Sequence, residues 1–248
     1  MKKLIVSLVI LVSNWCLGVT DCDAKNVLVS SPDGAVMVTV GVKDHHPFYR
    51  VDYQGRTLVA PSRLGFRLDH EELGANMTMG KVSRSSMDET WTQPWGENGT
   101  TRNHYNELTV DYREQTGRFM QVVFRVFNDG FGFRYNLPSQ DKRKEYCVQD
   151  ELTEITLAHD ARAWSIRSNH TAYFEGLYTA DLLSRKDTIC TPLTIEYEKD
   201  LFLAIHEAAL EDYASINLTP RRGNDGSVRL LTALTPWRNG VKVYAKGD

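Results

Sequence analysis

Phe119-Met120-Gln121-Val122-Val123-Phe124-Arg125-Val126-Phe127, followed by Asn128-Asp129-Gly130 and then Phe131-Gly132-Phe133-Arg134-Tyr135, decides the fold class. In an extended chain, alternate side chains point to the same face. Met120, Val122, Phe124 and Val126 therefore form one wholly apolar face, the signature of a strand lying on a core. Asn-Asp-Gly tolerates the backbone angles of a tight turn, so the chain reverses there. Phe131, Phe133 and Tyr135 carry the apolar alternation along the return strand. The stretch predicts an antiparallel hairpin with one buried face.

The same pattern extends outward. Val36, Val38, Val40 and Val42 alternate with small or polar partners just after Ser31-Pro32-Asp33-Gly34. Phe48 to Tyr53, Gln54-Gly55-Arg56 and Thr57 to Ala60 read as a second hairpin. Further strands are expected at Leu152–Leu157, Leu193–Tyr197, Leu201–His206, Ser215–Leu218, Val228–Leu234 and Val241–Ala245. Turn residues recur about every eight to twelve positions, a spacing that belongs to sandwiches and barrels rather than βαβ units. His206 to Tyr213 is the best helical candidate, and it is short. There is no internal repeat and no low-complexity linker, so one all-β domain is the expectation.

The chain has 248 residues, 42% hydrophobic and 25% charged, which is enough apolar material for one large core or two small ones. A formal net charge of -3 gives no electrostatic reason to bind nucleic acid or an anionic membrane surface. Lys2 and Lys3 precede an apolar run from Leu4 to Val12, broken by Ser7, too short to span a bilayer and shaped like a secretory signal peptide. Residues 1–24 are accordingly expected to be a signal peptide cleaved near 18–24, and residues 25–248 a periplasmic or secreted domain that is not membrane-bound after cleavage. Trp15 before Cys16 and Asp21 before Cys22 do not suit lipid attachment. Cys147 and Cys190 remain in the folded part, where an oxidising compartment permits a bridge and burial as two separate thiols is the alternative. No pair of cysteines has zinc-site spacing.

The chemistry-bearing residues crowd between Glu89 and Tyr112. Trp91 and Trp95 offer flat apolar faces on which a sugar ring can stack. Glu97, Asn103, His104, Asn106 and Glu107 offer directional bonds to hydroxyls. The same residues read equally as edge packing and a solvated loop. Glu207, directly after the apolar strand ending at Ile205, is placed either to ligate a hard cation or to cap the following turn. His206-Glu207 is not the metalloprotease motif, because Leu210 stands where the second histidine is needed. No carboxylate pair announces itself as a glycosidase acid and base, and there is no nucleophile elbow or phosphate-cradling loop.

In this order and at these spacings, the motifs resemble the N-terminal domain of glycoside hydrolase family 97, the α-glucosidases and α-galactosidases of gut Bacteroidetes. The resemblance runs from about Val27 to Asp248. It is carried by Ser31-Pro32-Asp33-Gly34, Pro94-Trp95-Gly96-Glu97, Asn103-His104-Tyr105-Asn106-Glu107-Leu108 and Asn128 to Tyr135. Thr191-Pro192-Leu193-Thr194, His206-Glu207-Ala208-Ala209-Leu210 and Thr235-Pro236-Trp237-Arg238 complete it. It implies a β-super-sandwich similar to the galactose mutarotase-like fold, packed against a (β/α)₈ barrel that carries the catalytic carboxyls. It also implies an active-site Ca²⁺ held mostly by barrel glutamates, with one further glutamate from the N-terminal domain, at the position of Glu207. Trp95, Glu97, Asn103, His104, Asn106, Glu107, Trp237 and Arg238 become the sugar-binding candidates, and no catalytic residue is expected in this chain. Tyr173-Phe174-Glu175 matches the family less closely, and no role is carried onto it.

In the family the chain continues from Trp237-Arg238 into the barrel, whereas this sequence stops at Asp248. The expectation is a truncated α-glycosidase chain: inactive alone, weak or devoid in Ca²⁺ binding, and prone to self-association through the surface left bare. Two other readings stay open. One is a stand-alone oligosaccharide-binding module. The other is a mutarotase-type sugar isomerase using His104, His206, Glu97 or Glu107 as acid and base. Preference for glucosides or galactosides, and for inversion or retention, is not readable.

Overall fold

The computed structural model describes residues 26–68, 71–140, 145–168, 175–211 and 213–235, and the backbone of 241–244. The expected signal peptide, Trp237 and Arg238 lie outside the described residues. Among them the strands form four sheets in which neighbouring strands pair antiparallel. The largest has eight strands, in the order Val27–Ser30, Val36–Lys43, His46–Tyr53, Arg56–Arg63, Glu154–Leu157, Val228–Leu234, Ile216–Arg222 and Ile189–Cys190. A second sheet runs Gly130–Asn136, Phe119–Phe127, Thr100–Glu114, Met77–Thr92. A third runs Val241–Tyr244, Glu145–Glu151, Phe66–Leu68, Glu71–Leu73. The fourth runs Thr179–Leu182, Arg162–Ser165, Leu193–Glu198, Leu201–Ile205.

The alternation that predicts the strands also builds the first core. Met120, Val122, Phe124 and Val126 are all fully buried. They meet Val38, Val40, Tyr49 and Val51 of the eight-stranded sheet in one cluster, the interior of a β-sandwich. Phe131, Phe133 and Tyr135 close its rim as expected. Tyr49 and Phe133 lie 5.3 Å apart by ring centroid, and Phe66 meets Tyr135 edge-on at 4.4 Å. A second, smaller core joins the far half of the eight-stranded sheet (Leu157, Leu218, Val228, Leu230) to Ala163, Leu193, Ile195 and Tyr197 of the fourth sheet. Tyr53 and Ile155 pack against both clusters.

Turn chemistry fixes the registers. Gln54 and Gly55 take φ of 49° and 78°, the two positive angles of a tight hairpin turn, and Tyr53 pairs with Arg56 across it. Ser31 Oγ donates to Asp33 Oδ1 at 2.6 Å and accepts from the Val36 amide at 3.0 Å. The Asp33 amide donates to Asn128 Oδ1 at 3.1 Å. Two motifs read separately in the sequence are thus one contact between the turns of two facing sheets. Gly65 and Gly74 lie back to back: a Cβ on Gly74 would stand 2.9 Å from the Gly65 Cα, so no larger residue fits at Gly74 without displacing backbone.

Two expectations meet a definite outcome. The described residues of the His206–Tyr213 stretch, 206–211 and 213, are irregular rather than helical, with Ala209 at φ 52°. About two turns of spacing were too little to outweigh the tertiary anchors at its two ends. Cys147 and Cys190 are not bridged; they stand on strands of different sheets. Phe124→Ala, which empties a site flanked by the rings of Tyr49 and Phe133, is expected to cost about 3–5 kcal/mol in urea unfolding. Thr92→Ala, on an exposed strand end, should stay within about 0.5 kcal/mol of the parent.

Candidate functional site

Trp91, Trp95 and the polar residues around them sit on a long hairpin arm. Met77–Thr92 pairs with Thr100–Glu114, and from residue 83 to residue 104 none of the arm's residues is buried. Its tip, 93–99, is closed by the Gln93 amide donating to the Gly99 carbonyl at 3.1 Å and by Gln93 Nε2 donating to the Asn98 carbonyl at 3.1 Å. Trp95 is 83% exposed there, beside exposed Glu97, and Trp91 is 44% exposed.

Strand alternation separates the remaining candidates. Asn103 and Glu107 project from one face of the arm, His104 and Asn106 from the other. Asn103 Nδ2 donates to Glu89 Oε1 across the ladder at 2.8 Å. His104 Nε2 lies 3.9 Å from Asp88 Oδ2, and Arg102 grips the same carboxylate through two bonds of 2.8 Å. Those bonds hold the Asp88 carboxyl below its usual range. Asn106 and Glu107 are engaged in the framework. Asn106 Nδ2 donates to the Ser30 carbonyl at 2.8 Å, pinning the arm to the first strand. Glu107 accepts from Arg125 Nε at 2.8 Å and from Ser85 Oγ at 3.0 Å, while the Arg125 guanidinium lies 4.5 Å from the Tyr105 ring centre. The sequence cluster is therefore a two-sided ribbon with an aromatic tip rather than a pocket.

Glu207 stands elsewhere, half-buried at the start of the irregular segment that leaves Leu201–Ile205. That segment crosses from one core to the other: Ile205 packs on the second, while Tyr213 and Ala214 pack on the first. Its far end is held by the Tyr213 hydroxyl donating to Glu151 Oε2 at 2.9 Å. Glu151 Oε1 also accepts from Thr153 Oγ1 at 2.6 Å, and the Tyr135 hydroxyl lies 2.7 Å from that same oxygen of Thr153. Loss of water around Glu151 pushes its carboxyl above the usual range, and the negative charge of Glu207 pushes the same way.

Glu151 is the residue that sequence reasoning missed. Tyr146 and Val148 point inward, so strict alternation would bury Asp150. The ladder shifts register between Val148 and Asp150, which turns Glu151 in instead. A bulge leaves no mark in residue types, so no signal in the sequence could have found it.

Among the described residues no group of three or more His, Cys, Asp or Glu side chains could hold a metal ion. Ca²⁺ takes about six to eight oxygens. Glu207 supplies one carboxylate, and Glu151 already accepts two hydrogen bonds. These residues fit as one arm of a cation site and do not make a site. No described helix is long and apolar enough to cross a membrane.

The chain is similar to a retaining α-galactosidase of Bacteroides thetaiotaomicron, at 27% identity over 226 residues, covering 86% of this chain and 33% of that one. A probable retaining α-galactosidase of Streptomyces bingchenggensis is 28% identical over 206 residues, covering 76% and 31%. A glycoside hydrolase family 97 enzyme from Pseudoalteromonas sp. strain K8, solved with acarbose, superposes with TM-score 0.81 at 32% identity, over 88% of this chain and 34% of that one. A β-arabinopyranosidase shares the fold alone, with TM-score 0.78 at 20% identity. The chain thus spans about a third of the length of the relatives it matches. The family model for the glycosyl-hydrolase 97 N-terminal domain matches residues 29–241, and the chain belongs to that family.

Proposed function

We propose that this domain is the scaffold and sugar-side wall of an exported α-glycosidase, contributing Glu207 as one Ca²⁺ ligand to an active site completed by a catalytic barrel. Glu207 carries the reading. It is half-buried at the end of a second-core strand, on a segment tied to the first core through Tyr213 and Glu151. A half-buried carboxylate on a segment anchored at both ends suits ligation of a hard cation, because the backbone that carries it has less freedom to lose. Glu151, whose carboxyl burial raises above its usual range, buttresses the loop, its two oxygens taken up by Tyr213 and Thr153. Terminal α-glucosides or α-galactosides of oligosaccharides are the substrate class, in keeping with relatives named α-galactosidases and one solved with acarbose. The Lys2-to-Val12 run supports delivery to the periplasm or beyond.

Calcium titration calorimetry of this chain should give binding no tighter than about millimolar, since one carboxylate cannot replace the ion's water shell. No release of p-nitrophenol from α-galactoside or α-glucoside substrates should accompany it. Micromolar Ca²⁺ binding abolished by Glu207→Gln, or turnover by the chain itself, would contradict the reading.

A second reading rests on Trp95, whose exposure at the arm tip is that of a ring ready to stack on a sugar. Affinity electrophoresis in starch and galactomannan gels separates the two. The scaffold reading predicts unretarded migration, and retardation lost in Trp95→Ala would establish a binding module instead.

Glu151 also sets a pH dependence. Its folded carboxyl is raised above the unfolded value. Its contribution to stability is therefore complete below the unfolded pKa and is lost as pH rises through the folded one. Glu151→Gln has no such loss. In urea unfolding, this variant should gain stability relative to the parent as pH rises above the ordinary carboxyl range of about 4. A gap that stays constant with pH would show that the folded carboxyl is not raised.

A further inference from the structure

Among the described residues, the outward face of the fourth sheet is left exposed and carries several large apolar side chains. Along Arg162–Ser165 the exposed and buried residues alternate, so Ala163 and Ser165 enter the interior while Arg162 and Trp164 face out. Trp164 is 39% exposed, Phe202 58% and Leu182 37%. Large apolar side chains gathered on one open sheet face mark a contact surface.

The register orders this face into two rows across four strands. The first reads Leu182, Arg162, Glu196, Phe202, and in the second Trp164 stands beside Thr194. The Arg162 guanidinium lies 5.0 Å from the centre of the Trp164 ring, which holds the charge over the face.

This order is complementary to itself. A two-fold axis in the plane of contact, parallel to the strands and passing between Arg162–Ser165 and Leu193–Glu198, exchanges the two halves of each row. Arg162 then lies opposite Glu196 of a second copy, and Leu182 lies opposite Phe202. The Trp164 ring lies over the small Thr194. Acid meets base, apolar meets apolar and large meets small, each twice, as an isologous interface requires. Sheets packed face to face keep their strands near this alignment. We propose that the fourth-sheet face joins two copies of this chain into a symmetric dimer, with opposed Arg162–Glu196 pairs setting its register.

Charge reversal tests this by sedimentation equilibrium on the full chain, with circular dichroism confirming the fold. The parent should be dimeric. Arg162→Glu and Glu196→Arg should each weaken self-association by ~tenfold or more. The Arg162→Glu chain presents two carboxylates and the Glu196→Arg chain two guanidinium groups, so each repels itself and attracts the other. An equimolar mixture should therefore recover the dimer as a heterodimer, which an effect confined within one chain cannot produce. A parent that stays monomeric on the order of 100 μM would overturn the proposal and leave the face to another segment of a longer chain or to a different partner. A dimer indifferent to both reversals, or a mixture that stays monomeric, would overturn it as well.

Discussion

Tyr53 and Ile155 touch both hydrophobic clusters, and the architecture depends on that sharing. Among the described residues the two cores are unequal. The smaller rests on twelve buried residues, several of them from the same eight-stranded sheet that walls the larger. Each buried Val, Leu or Phe contributes about 1.5–3 kcal/mol relative to exposure, and much of that is offset by chain ordering. The smaller core standing alone would be marginal. One continuous ladder makes the strand pairing of the first a condition for the second, because Arg56–Arg63 and Glu154–Leu157 are neighbours in one sheet while their side chains serve both clusters.

The same sharing places Glu207. Its segment begins at a strand packed on the second core and ends at Tyr213 and Ala214, packed on the first. Were the two cores free to move, the loop would move with them. The hydrogen bond from Tyr213 to Glu151 ties the loop to the strand Glu145–Glu151, which is itself paired with Phe66–Leu68. The segment that carries Glu207 is thus anchored to both cores at its ends. The hairpin arm is the opposite case. Its outer part packs on nothing else in the described structure and is held by its own ladder and by cross-strand pairs such as Arg102–Asp88.

Much of this was legible in the residues. Period-two alternation located Phe119–Phe127 and Val36–Lys43 because each has one face buried, and Gln54-Gly55 marked its turn through the positive angles it must adopt. The family followed from motifs whose spacing reflects contacts: Asp33 of one motif bonds Asn128 of another, 95 positions away. The site was less legible. Asn103 and His104 are adjacent in sequence and face opposite sides of a ribbon, so proximity in the chain was not proximity in space. Glu151 was hidden by a bulge, since a register shift changes which side chains point inward without changing a residue. The His206–Tyr213 segment has helical spacing, but its conformation is set by anchors at its ends.

The central claim is that one shared sheet makes two cores open as a unit. Native-state hydrogen exchange across a denaturant series measures this directly. The slowest amides of Phe119–Phe127, in the first core, and of Leu193–Glu198, in the second, should share one opening free energy and fall together along the same denaturant slope. Exchange of Leu193–Glu198 through a distinct, lower-energy opening that leaves Phe119–Phe127 protected would contradict the account.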